Sequence, residues 1–250
     1  MKHIFLLCAL SLGFFMGNAQ EKAVTDITAD EIIEAYLENI GGKDNWKALT
    51  SMRMEAKMAQ MGMEFPGVIM QMPPNKQRME INIQGQEMIQ AYDGETAWWI
   101  NPFMGAADAQ PMPAEMANEF TKETFEDDFI DYADKGHTIE LLGQKEVDGV
   151  MAYELKLTKK DGTEEFHYFE PEYLVPIMQK TIIAEGQMAG QAVETYLSDY
   201  EEYEGLMIPR YIESKVGGAT QFSMTVTKIE LNLELDETIF VYPKAADKGN

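Results

Sequence analysis

From Ser51 onward the apolar residues recur at every second position, and methionines mark the period. Met52, Met54, Ala56 and Met58 alternate with Arg53, Glu55 and Lys57, the pattern of a strand with one buried and one wet face. Eight methionines fall between Met52 and Met79. The thioether side chain is unbranched, has three rotatable bonds and specifies packing weakly. A sheet face lined this way suits an apolar ligand of variable shape better than a rigid core.

The alternation continues along most of the chain. Met61-Gly62-Met63 turns into a second strand through Met72, Pro73-Pro74-Asn75 forces another turn, and Met79, Ile81 and Ile83 mark a third strand. Met88 to Tyr92 and Thr96 to Ile100 read as two more, joined at Asp93-Gly94, a strong hairpin signal. Asn101 to Pro113 reads as a loop. Helical patterning follows from Ala114 to about Tyr132, with Met116, Phe120, Phe125 and Phe129 on one side and Glu119, Glu123, Glu126 and Asp127 on the other. This segment, about 113–133, is the candidate helical lid.

Strands return with Met151, Tyr153, Leu155 and Leu157, turn at Asp161-Gly162 and resume over Glu165 to Phe169. Further strands are expected near Leu174 to Ala184, Val193 to Tyr203, Ile208 to Val216 and Gln221 to Leu233, with Gly186 to Gly190 lengthening one hairpin tip. The spacings fit antiparallel meanders. Ahead of the strands, Thr28-Ala29-Asp30-Glu31 is a capping box, and Ile32, Ile33, Tyr36, Leu37 and Ile40 follow at helical spacing until Gly41-Gly42. One apolar stripe implies that this helix lies on the sheet.

Residues 1–19 read as an export signal: Lys2 is the charged start, Ile4 to Met16 the apolar run, and Gly17-Asn18-Ala19 the cleavage site. That run spans about 20 Å as a helix, short of a bilayer core of roughly 30 Å. No other stretch approaches spanning length. Cys8, the single cysteine, lies inside the signal behind Leu7, where a lipid-attachment cysteine needs a small neighbour. The mature chain therefore has neither a disulfide nor a thiolate metal site. Residues 20–250 form one domain, large enough to bury a core without staples. Removing the signal's lysine leaves 19 basic against 43 acidic residues, a net charge of −24. Such a field disfavours nucleic acid and anionic lipid surfaces.

Asp93-Gly94-Glu95-Thr96-Ala97-Trp98-Trp99-Ile100-Asn101-Pro102-Phe103 resembles the D-G-x-T-x-W-x-x-N-P-F stretch of the periplasmic lipoprotein carrier LolA. The Pro74-Asn75 turn before it and the closing Phe240-x-x-Pro243 agree in order. The likeness is specific over roughly Leu49 to Phe103 and architectural beyond. It implies a mainly β, α+β fold, a strongly curved antiparallel half-barrel covered by helices, whose cavity holds acyl chains crossing the periplasm. The partners so implied are lipid or lipoprotein acyl chains, an inner-membrane donor and an outer-membrane acceptor. In the family a lid-latching arginine precedes the Pro-Asn turn; Pro73 stands there in this chain, and Arg78 is the candidate substitute.

The residues and the resemblance together predict a lipid-binding lining of Met52, Met54, Met58, Phe65, Ile69, Met79, Ile81, Trp98, Met116 and Phe120, with Pro102 and Phe103 as lid hinge. Trp98 and Trp99 must face opposite sides of a strand, so only one of them can enter the cavity, and both serving packing is an equal alternative. The methionine pairs Met52/Met54, Met61/Met63 and Met70/Met72 also match thioether Cu(I) sites, but no histidine accompanies them and apolar lining is the favoured reading. His137 and His167 belong to no metal or nucleophile motif. Asp127-Asp128 and Glu201-Glu202 read as solvated pairs, and Tyr196, Tyr200 and Tyr203 as a strand end. The expectation is a monomeric non-enzyme without cofactor or metal, with a cargo-free interaction module on the same fold as the alternative.

Overall fold

The computed structural model describes residues 27–243 apart from 61, 123 and 185–187. The expected signal with Cys8, and the positions Met61, Glu123 and Gly186, lie outside the described residues, as does the side chain of Glu119. Helix α1 (Ala29–Asn39) begins as its sequence demands. The Glu31 N–H donates to Thr28 Oγ1 at 3.2 Å, and the Thr28 N–H donates to the Glu31 carboxylate at 2.7 Å, satisfying two donors that a helix start leaves free.

Gly41 and Gly42 end α1 at φ +107° and +87°, and α2 (Lys43–Lys47) follows. Gly41 is also a point of close approach. A Cβ there would lie 2.2 Å from the Gly205 carbonyl oxygen and 2.9 Å from Leu206 Cδ2. Gly41→Ala is therefore expected to reduce stability by about 2–3 kcal/mol through backbone strain and overlap, read as the shift in a urea unfolding midpoint.

The strands are β1 (Met52–Gln60), β2 (Met63–Met72), β3 (Lys76–Ile83), β4 (Gln86–Tyr92), β5 (Ala97–Asn101) and β6 (Ala106–Pro111), then β7 (Thr138–Val147), β8 (Val150–Thr158), β9 (Glu164–Phe169), β10 (Pro176–Ile182), β11 (Ala192–Tyr203), β12 (Leu206–Val216) and β13 (Ala219–Leu231). They form one open antiparallel sheet in the order β6-β5-β4-β3-β2-β1-β13-β12-β11-β10-β9-β8-β7. Two meanders meet where β1 pairs with β13, through Met54↔Ile229 and Met58↔Met224 among others. The first meander starts at the centre of the sheet and ends at one edge with β6. The second starts at the other edge with β7. Residues 112–137 must therefore cross the sheet, and they do so as a strap over one face.

The strap corrects one expectation. Helix α3 spans only Ala114–Phe120, and turns replace the helix predicted as far as Tyr132. Local polar bonds compete with the helix there: the Phe129 N–H donates to Asp127 Oδ1 at 2.8 Å, Thr124 Oγ1 donates to the Glu126 carbonyl at 2.9 Å, and Asp131 adopts φ +48°. Part of the segment read as a loop, Ala106–Pro111, is strand β6, paired to β5 through Trp99↔Gln110. Strand β7, with bulge-broken pairing between Leu141 and Gly143, is a further element absent from the sequence reading.

The strap face carries the main core. Ile32, Ile33, Tyr36 and Ile40 of α1 pack with Phe129 on Tyr153, Leu155, Leu157 and Phe169 of β8 and β9. Tyr36 and Phe129 meet edge to face at 6.0 Å.

Candidate functional site

Strand pairing lines up Met54↔Ile69↔Met79 and Met58↔Phe65 across β1, β2 and β3, with Ile81↔Met88 extending the row to β4. Because side chains alternate, all of these stand on the strap face. Ala56, Met58, Phe65, Ile81, Met224 and Val226 are buried together, and Met54, Ile69, Met79, Ile83, Met88, Ile212, Phe222 and Ile229 pack half-buried around them. Every residue of this cluster comes from the sheet, and among the described residues neither the helices nor the strap enters it.

The strap covers the other end. Phe120 and Ala117 pack on Trp99, Phe125 on the cluster of Leu49, Met52, Leu206, Ile208 and Leu231, and Phe129 on α1. This apolar stretch of the sheet face, the trough, meets the strap at the Met52 end of β1 and, among the described residues, packs against no helix at the Met58 end. Gly67 lies beneath Met58 on this face. A Cβ there would lie 2.7 Å from both Sδ and Cε of Met58, so the thioether lies flat over the glycine.

The predicted lining divides into groups. Met54, Met58, Phe65, Ile69, Met79 and Ile81 come together in the trough. Met52 sits in the adjoining strapped cluster, Phe120 lies against Trp99, and Met116 is exposed on α3. Trp98 is corrected: it stands on the opposite face, in a cluster with Ile89, Ala91 and Tyr242, and Trp99 takes the strap face. Pro102 and Phe103 are also corrected. They form a 3-10 turn, Pro102–Met104, that joins β5 to β6 rather than a junction with the strap, and Phe103 is exposed. The sequence reading missed Met88, Met224 and Ile212, although the same alternation marks Met88.

Arg78 is not a lid latch. It stands on the face opposite the strap, where its Nη1 donates to the Ile239 carbonyl at 2.7 Å and its guanidinium lies 5.5 Å from the Trp98 ring. Gln77, one residue away and so on the strap face, holds the strap instead. Its Nε2 donates to the Phe120 carbonyl at 2.6 Å, and the side chain is buried.

Asp127 and Asp128 are not a solvated pair. Asp127 accepts from the Tyr36 hydroxyl at 2.6 Å, and Asp128 meets Lys159 Nζ at 2.7 Å, which also meets Glu165 at 2.7 Å. His167 is buried edge-on to Phe129 at 4.7 Å, and His137 Nδ1 accepts from the Lys160 N–H. Lys43 and Lys47 of α2 hold Asp131, so the crossing is tied to α1 through Tyr36, to α2 and to the end of β8.

Burial pushes the Asp127 carboxyl above its ordinary range, outweighing the bonds from Tyr36 and the Phe129 N–H. A raised native pKa means that the ionised carboxylate opposes folding. That penalty is fully present above the native pKa and disappears as pH falls through it. Asp127→Asn is thus expected to gain in melting temperature on its parent as pH rises from 4 to 8, checked by calorimetry across that interval.

An open cleft of about 370 Å³ is lined by Asp199, Tyr200, Glu201, Arg210 and Thr225. Arg210 Nη1 pairs with Glu201 at 2.8 Å, and its Nε donates to the Val226 carbonyl at 3.2 Å. The Tyr200 hydroxyl donates to the Pro176 carbonyl at 2.7 Å.

An open antiparallel sheet with an apolar, strapped face defines a LolA-like fold. Three solved structures share it. A DUF1329 family protein from Desulfovibrio piger is 11% identical, with 85% of this chain and 97% of that chain covered at a TM-score of 0.57. A putative outer membrane lipoprotein-sorting protein domain from Vibrio parahaemolyticus is 10% identical, covering 83% and 95% at 0.55. A LolA superfamily protein from Nitrosomonas europaea is 14% identical, covering 86% and 98% at 0.55. No family model matches the sequence, and no curated protein matches it. At these identities the likeness establishes the fold.

Proposed function

We propose that this chain is an exported periplasmic carrier that shelters a lipid or lipoprotein acyl group in the methionine trough on its way to the outer membrane. The observation that carries the reading is the cluster of Met54, Met58, Phe65, Ile69, Met79 and Met88, set on a sheet face that no helix fills among the described residues. Each acyl methylene withdrawn from water is worth about 0.8 kcal/mol, so a chain crosses an aqueous compartment only inside such a shelter. Half-buried thioethers can re-pack around hydrocarbon of varying shape and then let it go. The strap acts as a fixed clamp, because Asp128, Asp131 and Gln77 tie it at several points.

The LolA-like fold supports the same class of work, as does the absence, among the described residues, of a helix long and apolar enough to cross a membrane. The chemistry is binding rather than catalysis. An inner-membrane donor and an outer-membrane acceptor complete the scheme, with the monomer as carrier. The test is solvent extraction and mass spectrometry of protein purified from its native envelope. Acyl lipid is expected in stoichiometric amount. Protein that is empty and also takes up no uncharged naphthylamine dye would refute carriage.

A further inference from the structure

Three half-buried methionines stand in the open part of the trough: Met54 on β1, Met79 on β3 and Met88 on β4. Strand register places Ile69 between Met54 and Met79, and Ile81 opposite Met88. The three are spread over about 14 Å, three strand spacings, short enough for a single acyl chain to cover. Met58 and Met224, paired across β1 and β13, belong to the same cluster but are buried. A dissolved oxidant reaches a sulfur only where solvent does. The cluster therefore divides into three side chains open to attack and two that are protected. Once the signal is removed no thiol competes for the oxidant, since Cys8 is the single cysteine.

We propose that Met54, Met79 and Met88 are oxidation sites at which hydrogen peroxide closes the empty trough to hydrocarbon, and that bound cargo shields them. The inference rests on the carrier reading above. A sulfur lone pair attacks one peroxide oxygen, the O–O bond breaks and an S–O bond forms. The displaced hydroxide takes the remaining proton and leaves as water, so sulfur is oxidised by two electrons and peroxide is reduced. The product, methionine sulfoxide, is polar where the thioether was apolar. Met54 faces Ile69 and Ile229 on its two neighbouring strands, and neither side chain offers a donor to the new oxygen. That oxygen holds water on the face, and hydrocarbon enters only by stripping it. Gln90 stands opposite Met79, so an amide can take up the sulfoxide there without disturbing the strands. Met58 stays reduced over Gly67, and the fold is retained while its face turns polar.

The test treats the mature chain with hydrogen peroxide, either empty or saturated with an uncharged, saturated monoacylglycerol, and maps sulfoxides by peptide mass spectrometry. In the empty protein, oxidation of the three methionines is expected to weaken naphthylamine dye binding roughly tenfold, with a cooperative melting transition retained. The monoacylglycerol should slow oxidation at these positions and leave the exposed Met104 and Met151 reacting as before. Methionine sulfoxide reductases for both sulfoxide epimers, supplied with a dithiol, should restore uptake. Met151→Leu should lose uptake on oxidation as its parent does. The triple variant Met54→Leu, Met79→Leu, Met88→Leu, at whatever affinity it starts, should keep that affinity through the same treatment. An equal loss in the triple variant, or oxidation of the three positions that ignores bound monoacylglycerol, would overturn the proposal. Dye uptake that survives oxidation of all three sinks this inference and leaves the carrier reading standing. Untreated protein that takes up neither dye nor monoacylglycerol sinks the carrier reading, and this inference with it.

Discussion

Trp98→Ala is expected to destabilise the protein by about 3–5 kcal/mol, the range for truncating a fully buried aromatic residue. Trp98 is 2% exposed and anchors the segment of Phe240 and Tyr242 to the face opposite the strap. Its Nε1 donates to the Phe240 carbonyl at 2.7 Å, its ring meets Tyr242 edge to face at 6.3 Å, and Arg78 covers it while holding Ile239. Phe240 itself is fully buried. Trp98→Phe keeps most of the packing and removes the hydrogen bond, so a smaller loss of about 1 kcal/mol is expected. Urea unfolding of both variants checks this. A loss under 1 kcal/mol for the alanine variant would show that the C-terminal segment does not depend on this anchor.

The second large effect concerns ligand. Replacing Met54 and Met79 together with aspartate should lower affinity for the naphthylamine dye at least tenfold, because the two positions flank Ile69 on the trough face and bound hydrocarbon would have to desolvate carboxylates. Asn82→Asp adds a carboxylate at an exposed position of β3 on the other face, and should leave dye binding unchanged. Equal binding by the double variant and its parent would mean that the ligand face has been misassigned. Melting temperatures of the three proteins separate lost binding from lost fold.

These expectations show which signals reached the sequence intact. The capping box at Thr28 and Glu31, the Gly41-Gly42 stop and the Asp93-Gly94 hairpin are local chemistry, and each appears as read; Asp93 Oδ1, for instance, accepts from the Glu95 and Thr96 N–H groups. The methionine alternation assigned β1 to β3 their faces because period two depends only on the backbone. The strap failed as a helix because its 3.6-residue apolar spacing survives in turns that use the same aromatic residues to touch three separate clusters. The edge strand β6 was illegible for the opposite reason: Ala106, Ala107 and Ala109 carry no strong period, and pairing with β5 makes the strand.

The sequence by itself determined a β-rich chain with one methionine-lined face, a capped helix laid on the sheet and a strongly negative field, since all three follow from composition and short-range spacing. Only the tertiary structure decided that Trp98 and Phe240, 142 positions apart, form one anchor on the face opposite the strap, and that Trp99 rather than Trp98 looks towards the strap. Alternation says that neighbouring side chains part company, but not which of the two faces the chain will cover. That choice was made when β1 paired with β13 and obliged residues 112–137 to cross from one edge to the other.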